Sequence, residues 1–265
     1  MRVLVTRPEP ECSQWVQGLA AHGLQALALP LIRIGPVADT TAVHRCWQQL
    51  DRFNAIMFVS GAAAEHFFAL RPSDAQVPAG TQLWAPGPGT VAALVRQGVA
   101  RGQIDAPDAT SGQFDSEALW QVVQPGVRAG WQVLIIRGGD DAAAEPPADD
   151  ASRRGQGRDW LAQALDSVGA RVDMLMVYER SGPRWSAADE AHARAAAADG
   201  SVWLFTSSQA INHLRVQLPG QRWQQAHALA THPRIAQAAR DAGFGVVWES
   251  RPRLEEVVAS IESRA

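Results

Sequence analysis

The chain has 265 residues, of which 46% are apolar, and a formal net charge of −3 at pH 7. This length suits two compact domains of roughly 100–150 residues each, and the apolar share is ample for two cores. The charge balance offers no basic surface for nucleic acid. All 24 lysine-plus-arginine positions are arginine, which excludes a lysine Schiff base and a P-loop lysine.

Cysteine spacing, hydropathy and the N-terminus exclude further classes of protein. Cys12 and Cys46 have no CxxC spacing and no histidine pattern nearby, so we expect neither a zinc site nor a disulfide framework. No apolar run reaches the ~18–20 residues that span a bilayer, so we expect no membrane partner. The chain begins at once with a strand-like VLVT segment, which predicts no signal peptide and a cytoplasmic location.

Short apolar segments alternate with helical segments along most of the chain, which predicts mostly parallel sheets. In chain order, the predicted elements are strand 2–6, helix 12–22, an extended segment 24–34, helix 40–50, strand 55–59, helix 62–70, strand 83–85, helix 89–98, helix 116–123, strand 133–136, helix 160–168, strand 172–178, helix 187–198, strand 202–205, helix 210–218, strand 228–230, helix 235–242, strand 246–248 and helix 254–262. Residues 138–157 are rich in Asp, Ala, Pro and Gly and are predicted to form a flexible, solvated insertion.

Three segments of the first half return in the second half. VLVTR at 3–7 returns as VLIIR at 133–137, FVSGA at 58–62 as FTSSQ at 205–209, and LWAPGPG at 83–89 as LATHPRI at 229–235. In each case a short apolar run meets a polar or Gly-rich turn, and a helix usually follows. Doubly wound α/β domains bind ligands at such strand ends, so two half-molecules suggest a ligand held between them.

Groups that could hold an anion recur where predicted strands meet predicted helices. Hydroxyls and free N–H groups at a helix start can bind a carboxylate, and arginines at a strand end can pair with one. The candidates are Arg7, Ser60, Gly87, Gly89, Thr90, Ser116, Arg137, Gly138, Thr206, Ser207, Ser208, Thr231, His232 and Arg234. Plainer interpretations stay open: helix capping for the hydroxyls, a tight turn for the glycines, a structural histidine and surface arginines.

Motifs for nucleotide binding, metal binding and nucleophilic hydrolysis are absent from the sequence. The Gly-rich turn at 87–90 lacks both GxGxxG and GK[ST], there is no HExxH spacing, and there is no GxSxG. Tyr178, the only tyrosine, closes a predicted strand at an apparent domain junction. A lone tyrosine is commonly a packing residue, but a phenol in a cleft could donate a proton.

Taken together, these motifs resemble uroporphyrinogen-III synthases. The resemblance runs the length of the chain, through VLVTRP, FVSGAAA, PGPGTVAAL, SEAL at 116–119, VLIIRG, GRDWL at 157–161, VYER, LFTSSQA and THPRIAQAARDAG. It implies an α/β fold of two flavodoxin-like parallel-sheet domains, joined by a two-stranded linker, with a ligand cleft between them. One domain would combine 1–34 with 181–265 and the other would be 37–175, with linker strands at 31–36 and 176–181. The repeats alone suggest a simpler split near 128.

The resemblance also implies a reaction. The family cyclises hydroxymethylbilane, a linear tetrapyrrole, to uroporphyrinogen III in heme biosynthesis, inverting ring D and losing water, with no cofactor and no metal. Tyr178 matches the family tyrosine proposed to assist departure of the hydroxyl, so it would be the general acid of a hydro-lyase. The helix starts among the candidates would hold the acetate and propionate arms. The turn at 231–234 lacks the glycines of its counterpart in the first half of the chain.

Two rival functions and the expected partners complete the interpretation. A non-catalytic two-domain ligand-binding protein, or a regulatory relative that has lost catalysis, would release its ligand unchanged. We expect a monomer, since no heptads are apparent, and leave open a transient contact with hydroxymethylbilane synthase, which makes the unstable substrate.

Overall fold

The computed structural model describes residues 1–108, 114–140 and 157–264, so most of the predicted flexible insertion, at 141–156, lies outside the described residues. The chain divides into two compact units. Unit 1 combines Met1–Ile34 with Ser181–Ala265, and unit 2 is Gly35–Arg180. The chain therefore begins unit 1, builds unit 2 without a break and returns to complete unit 1.

Both units are built from short strands and helices. The strands are β1 (Arg2–Val5), β2 (Gln25–Ala28), β3 (Arg33–Pro36), β4 (Ala55–Phe58), β5 (Gln82–Trp84), β6 (Ile104–Asp105), β7 (Gln132–Asp140), β8 (Arg171–Ser181), β9 (Val202–Phe205), β10 (His227–Ala230) and β11 (Val246–Glu249). The α-helices are α1 (Glu11–Ala21), α2 (Thr41–Trp47), α3 (Gly61–Ala69), α4 (Pro88–Arg96), α5 (Ser116–Val123), α6 (Gly157–Ser167), α7 (Ala187–Ala196), α8 (Ser208–Gln217), α9 (Pro233–Asp241) and α10 (Leu254–Glu262). Short 3-10 helices lie at Leu50–Arg52 and Arg101–Gln103.

Unit 1 holds a five-stranded parallel sheet in the order β2-β1-β9-β10-β11. Counted along the unit's own chain this is order 2-1-3-4-5, the flavodoxin-like arrangement of doubly wound domains. Successive side chains of β1 point to opposite faces. Val3 and Val5 pack with α1 and α10, whereas Leu4 packs with α7, α8 and α9. Both faces of the sheet are therefore covered by helices, as is usual for parallel sheets.

Unit 2 holds a six-stranded sheet in the order β3-β8-β7-β4-β5-β6. The five strands from β8 to β6 are joined by parallel pairings, and β7 takes the position that β1 has in unit 1. Helices α5 and α6 pack on one face. On the other face Trp47 of α2 stacks on Phe67 of α3, with 4.4 Å between ring centroids. The predicted α/β class with parallel sheets is confirmed.

The repeated motifs occupy equivalent places in the two sheets. β1 corresponds to β7, β4 to β9 and β5 to β10, since each pair holds the same position in its strand order. The third repeat is shifted by one residue from the predicted alignment. Gly87 and His232 are both helix N-caps, and a proline follows each at the first helical position, so Gly87 matches His232 rather than Pro233.

The structure differs from the predicted elements at three places. β7 continues through Asp140, so residues 138–140, predicted as loop, are strand; the two glycines there hid it because glycine has low strand propensity. The extended segment 24–34 is two strands, β2 and β3, and Pro30 lies between them, where it can donate no ladder hydrogen bond. β6 was not predicted, because two residues carry no periodic signal.

Candidate functional site

The strand order locates a candidate site in each unit. In an open parallel sheet, ligands bind outside the carboxyl ends of the strands at the point where the strand order reverses. That switch point lies between β7 and β4 in unit 2, and between β1 and β9 in unit 1. The predicted residues that lie near the carboxyl ends of these four strands are Arg7, Ser60, Arg137, Gly138, Thr206, Ser207 and Ser208.

Tyr178 lies on β8, and its side chain meets the end of β4. The tyrosine is 1% exposed. Its phenol oxygen lies 3.3 Å from Oγ of Ser60 and accepts a hydrogen bond of 3.1 Å from Nη2 of Arg180. The imidazole of His66, on α3, is 5.6 Å away between ring centroids. These four residues all belong to unit 2, so one unit suffices to bring them together.

Gly138 lies under the ring of Tyr178. The pairing of β7 with β8 shifts register between Arg137 and Gly138, and Gly138 then stands opposite Tyr178. A Cβ at residue 138 would overlap the Cε2 and Cζ atoms of the phenol ring. Glycine is therefore the residue that fits at position 138, because the phenol ring of Tyr178 lies across β7 there. The structure thus gives Gly138, a predicted substrate-binding residue, a contact with the predicted acid.

The switch point of unit 1 holds different chemistry. Oγ1 of Thr6 is buried and donates a hydrogen bond of 2.7 Å to the carbonyl oxygen of Leu204. Arg7 pairs with Glu11, at 2.7 Å between Nη2 and Oε2, and its guanidinium lies 4.9 Å from the ring centre of Trp15. A ligand carboxylate would have to compete with Glu11 for Arg7.

Two arginines of unit 2, Arg137 and Arg180, differ from Arg7 in their contacts. Nε of Arg137 donates to the carbonyl oxygen of Gly138 at 3.2 Å, and Nη1 contacts Sδ of Met174 at 3.7 Å. Within the described residues, neither Arg137 nor Arg180 forms an ion pair with a carboxylate. Their positive charges are therefore available to an anion or to a developing negative charge.

The predicted serines begin helices in both units. Oγ of Ser60 accepts from the backbone N–H of Ala63, and Oγ of Ser207 accepts from that of Gln209, each at 3.2 Å. Capping is thus part of their role, and the remaining hydroxyl capacity is open to a ligand. Oγ of Ser208 is buried and has no hydrogen-bond partner among the described residues, so its O–H can still donate a hydrogen bond.

The remaining predicted residues are spread along the sheets. Nδ1 of His232 accepts from the backbone N–H of Arg234 at 3.1 Å, so this histidine caps α9. Gly87 caps α4 and Gly89 is exposed in its first turn. Those not yet placed are Thr90 and Ser116, each 6% exposed, and Thr231, which borders an open depression of about 520 Å³ beside β11 and α10.

Two residues of the unit 2 site were missed at the level of sequence. Arg180 could have been found, because residues two apart on a strand share a face and Tyr178 was already a candidate. His66 carried no signal, since its position on α3 resembles that of any helical residue. Burial lowers the pKa of His66, against the opposing effect of Glu65, so its imidazole favours the neutral form.

Among residues 1–108, 114–140 and 157–264, no group of His, Cys, Asp or Glu is placed to hold a metal ion. No helix in that part of the chain combines the length and the apolar character that a bilayer span requires.

Comparison with protein families gives one extensive match. The family model described as "Uroporphyrinogen-III synthase HemD" matches residues 13–144 and 151–259. A uroporphyrinogen-III synthase of Chlorobaculum parvum is 30% identical over 102 residues, which are 37% of this chain. In that match the chain spans 39% of the relative's length.

Solved structures resemble the whole chain. A mutant uroporphyrinogen III synthase of Thermus thermophilus has a TM-score of 0.55 and 15% identity, covering 99% of this chain and 98% of its own. A uroporphyrinogen-III synthetase of Helicobacter pylori also has a TM-score of 0.55, with 14% identity and coverage of 100% and 99%. At such low identity the likeness shows the fold.

Proposed function

We propose, since the chain belongs to the uroporphyrinogen-III synthase family, that it cyclises hydroxymethylbilane to uroporphyrinogen III, inverting ring D and losing water. The observation that carries the proposal is the phenol of Tyr178, held between Ser60 and Arg180 next to a switch point of the sheet. A hydro-lyase that expels hydroxide at neutral pH needs a proton donor, and this phenol is one.

Tyr178 acts as the general acid in this proposal. Its O–H bond breaks as the proton passes to the terminal hydroxyl of the bilane. The carbon–oxygen bond then breaks, and the electron pair leaves with water. Ring closure later releases a proton, which returns to the phenolate and restores the tyrosine. Since Tyr178 is 1% exposed, its neighbours move aside to let the bilane reach it.

Helix N-termini bind the carboxylate arms of the bilane. Free backbone N–H groups and the helix dipole favour an anion at the first turn. Helices α3 and α8 begin at the switch points, and both are capped by serine. The hydroxyl of Ser208, which has no partner among the residues that the structure describes, adds a donor to the first turn of α8. Distributed N–H donors suit a substrate with many carboxylates better than a single strong cation would.

The proposal also covers a partner protein, the oligomeric state and the cellular location. Hydroxymethylbilane closes spontaneously to isomer I, so a transient contact with hydroxymethylbilane synthase would limit that loss. We propose a monomer that works in the cytoplasm. Analytical ultracentrifugation of the chain alone and mixed with that synthase would test both the monomer and the contact.

A coupled assay tests the activity. Hydroxymethylbilane is generated in situ, the chain is added, the products are oxidised, and porphyrin isomers I and III are separated chromatographically. Isomer III is expected above a control without the chain. Isomer I alone, from protein with a cooperative unfolding transition, would contradict the proposal and favour a binding protein that returns the bilane unchanged.

A further inference from the structure

We propose that Arg180 is a positioning residue that fixes the phenol of Tyr178 and stabilises the phenolate formed when the proton leaves. The inference rests on the proposed function. A phenol is a weak acid, so it needs a neighbour that favours its charged form during the transfer. Arg180 is two residues along β8, on the same face of the strand.

The contact fixes which atom donates. A guanidinium group has donors and no acceptor, so at the 3.1 Å contact the phenol oxygen must accept from Arg180. The guanidinium carbon lies 5.6 Å from the centre of the Tyr178 ring. The single phenol proton therefore points away from Arg180, toward Ser60 or toward a bound molecule. When that proton leaves, the charged donor is already in place.

The charges around the phenol make Arg180 the effective cation. Within the described residues Arg180 pairs with no carboxylate, so its charge is not neutralised by an ion pair. His66 packs against the phenol ring, but burial lowers its pKa and it favours the neutral form. Ser60 supplies a neutral hydroxyl at 3.3 Å. Arg180 is thus the group that can offset a negative charge on the oxygen.

The test uses the full chain and its single tyrosine. Isotope-labelled tyrosine gives one Cζ resonance in the NMR spectrum, which reports on Tyr178 alone. The variants are R180M, R180K and, as a matched control, R184M, because Arg184 is exposed and lies beyond β8. Steady-state kinetics of isomer III formation are measured on the same samples.

R180M is expected to shift the Tyr178 resonance and to lower kcat by roughly tenfold, with KM changed less than twofold, because a charge-assisted hydrogen bond is lost. R180K is expected to recover part of both effects, and R184M to change neither. An unchanged resonance in R180M, or a raised KM with the parent kcat, would overturn the inference. If the parent chain makes only isomer I, the proposed function fails, while the resonance still tests the contact.

Discussion

The two units share a strand order but differ at the switch point. The five strands of the unit 1 sheet and the strands β8 to β6 of unit 2 follow the same spatial order, and the VLVTR and VLIIR segments form corresponding strands, β1 and β7. In unit 1 the strand is followed by Pro8, which fixes φ and has no N–H to donate. In unit 2 the corresponding residue is Gly138, and the strand continues to Asp140. The first strand of the repeat therefore ends early in unit 1, as β1, and is longer in unit 2, as β7.

The extension is what gives unit 2 its phenol. Residues 138–140 of β7 pair with 178–180 of β8, and these added pairs hold Tyr178 and Arg180. At the corresponding place in unit 1, Thr6 donates a hydrogen bond to the carbonyl oxygen of Leu204, and Arg7 forms an ion pair with Glu11. A shared fold thus leaves the chemistry to a few residues at the strand ends. We therefore propose that unit 2 supplies the proton and that unit 1 only binds the ligand.

The largest expected effect comes from Gly138→Ala. The added Cβ overlaps the Tyr178 ring, so we expect the free energy of unfolding to fall by about 1–3 kcal/mol, as for other overpacked sites. The rate of isomer III formation should fall at least tenfold, because the phenol is displaced. Urea denaturation and the coupled assay measure the two effects.

Gly102→Ala is the matched control, because a Cβ there meets nothing within 4 Å. It should leave both stability and rate close to those of the parent. Equal behaviour of the two alanine variants would show that the Tyr178 ring does not lie over β7.

The serine caps of α3 and α8 test whether the two units have different roles. Ser60→Ala and Ser207→Ala each remove one cap, so each should lower the free energy of unfolding by about 1 kcal/mol. Of these two serines, only Ser60 contacts the phenol. We therefore expect Ser60→Ala to lower kcat severalfold, and Ser207→Ala to raise KM with kcat retained. If both variants changed the same kinetic constant, the division of labour between the units would be wrong.

His66 should make unit 2 sensitive to acid. Burial lowers the pKa of its imidazole from 6.5, so the unfolded chain binds the proton more readily. Its contribution to stability is therefore present above pH 6.5 and is lost as pH falls through the lowered pKa. Glu65 opposes the shift. We expect His66→Gln to flatten the loss of stability as pH falls below 6.5, measured by urea denaturation.

The exposed His22, in unit 1, gives the control for this measurement. His22→Gln should keep the parent's dependence of stability on pH. An identical flattening in both variants would exclude burial of His66 as the cause.

The smallest expected effect concerns the thiols, one in each unit. Burial raises the pKa of Cys12 to about 12 and that of Cys46 to about 11. Since the thiolate is the reactive form, iodoacetamide at about pH 8 should label both slowly in the folded chain and fully in urea. Cys46 should react first, because it is half-buried and Cys12 is buried. Mass spectrometry that found Cys12 labelled before Cys46 would contradict this.

Much of the fold could be predicted because local signals agree with it. The cores of β1, β4 and β9 are continuous apolar runs, and serines or prolines mark the helix starts that follow. The two-residue β6 and the glycine-containing end of β7 were not predicted, because neither carries an apolar pattern. Periodicity also could not place the break between β2 and β3, where the chain passes from one sheet to the other.

The site was predictable only in part. Ser60, Gly138 and Tyr178 were selected one at a time, by residue type or by resemblance, and nothing local showed that they meet. Their contact depends on the register of β7 against β8 and on the shift after Arg137, which long-range pairing decides. The predicted binding roles of the other candidates stay predictions.

The role of the Tyr178 phenol is tested by measuring the rate of isomer III formation for Tyr178→Phe and for the parent chain. Removing one hydroxyl leaves the ring on Gly138, so urea denaturation should show a change in stability of only about 1 kcal/mol. We expect the parent to form isomer III and the variant to do so at least tenfold more slowly. A variant as fast as the parent would show that the phenol of unit 2 is not the proton donor.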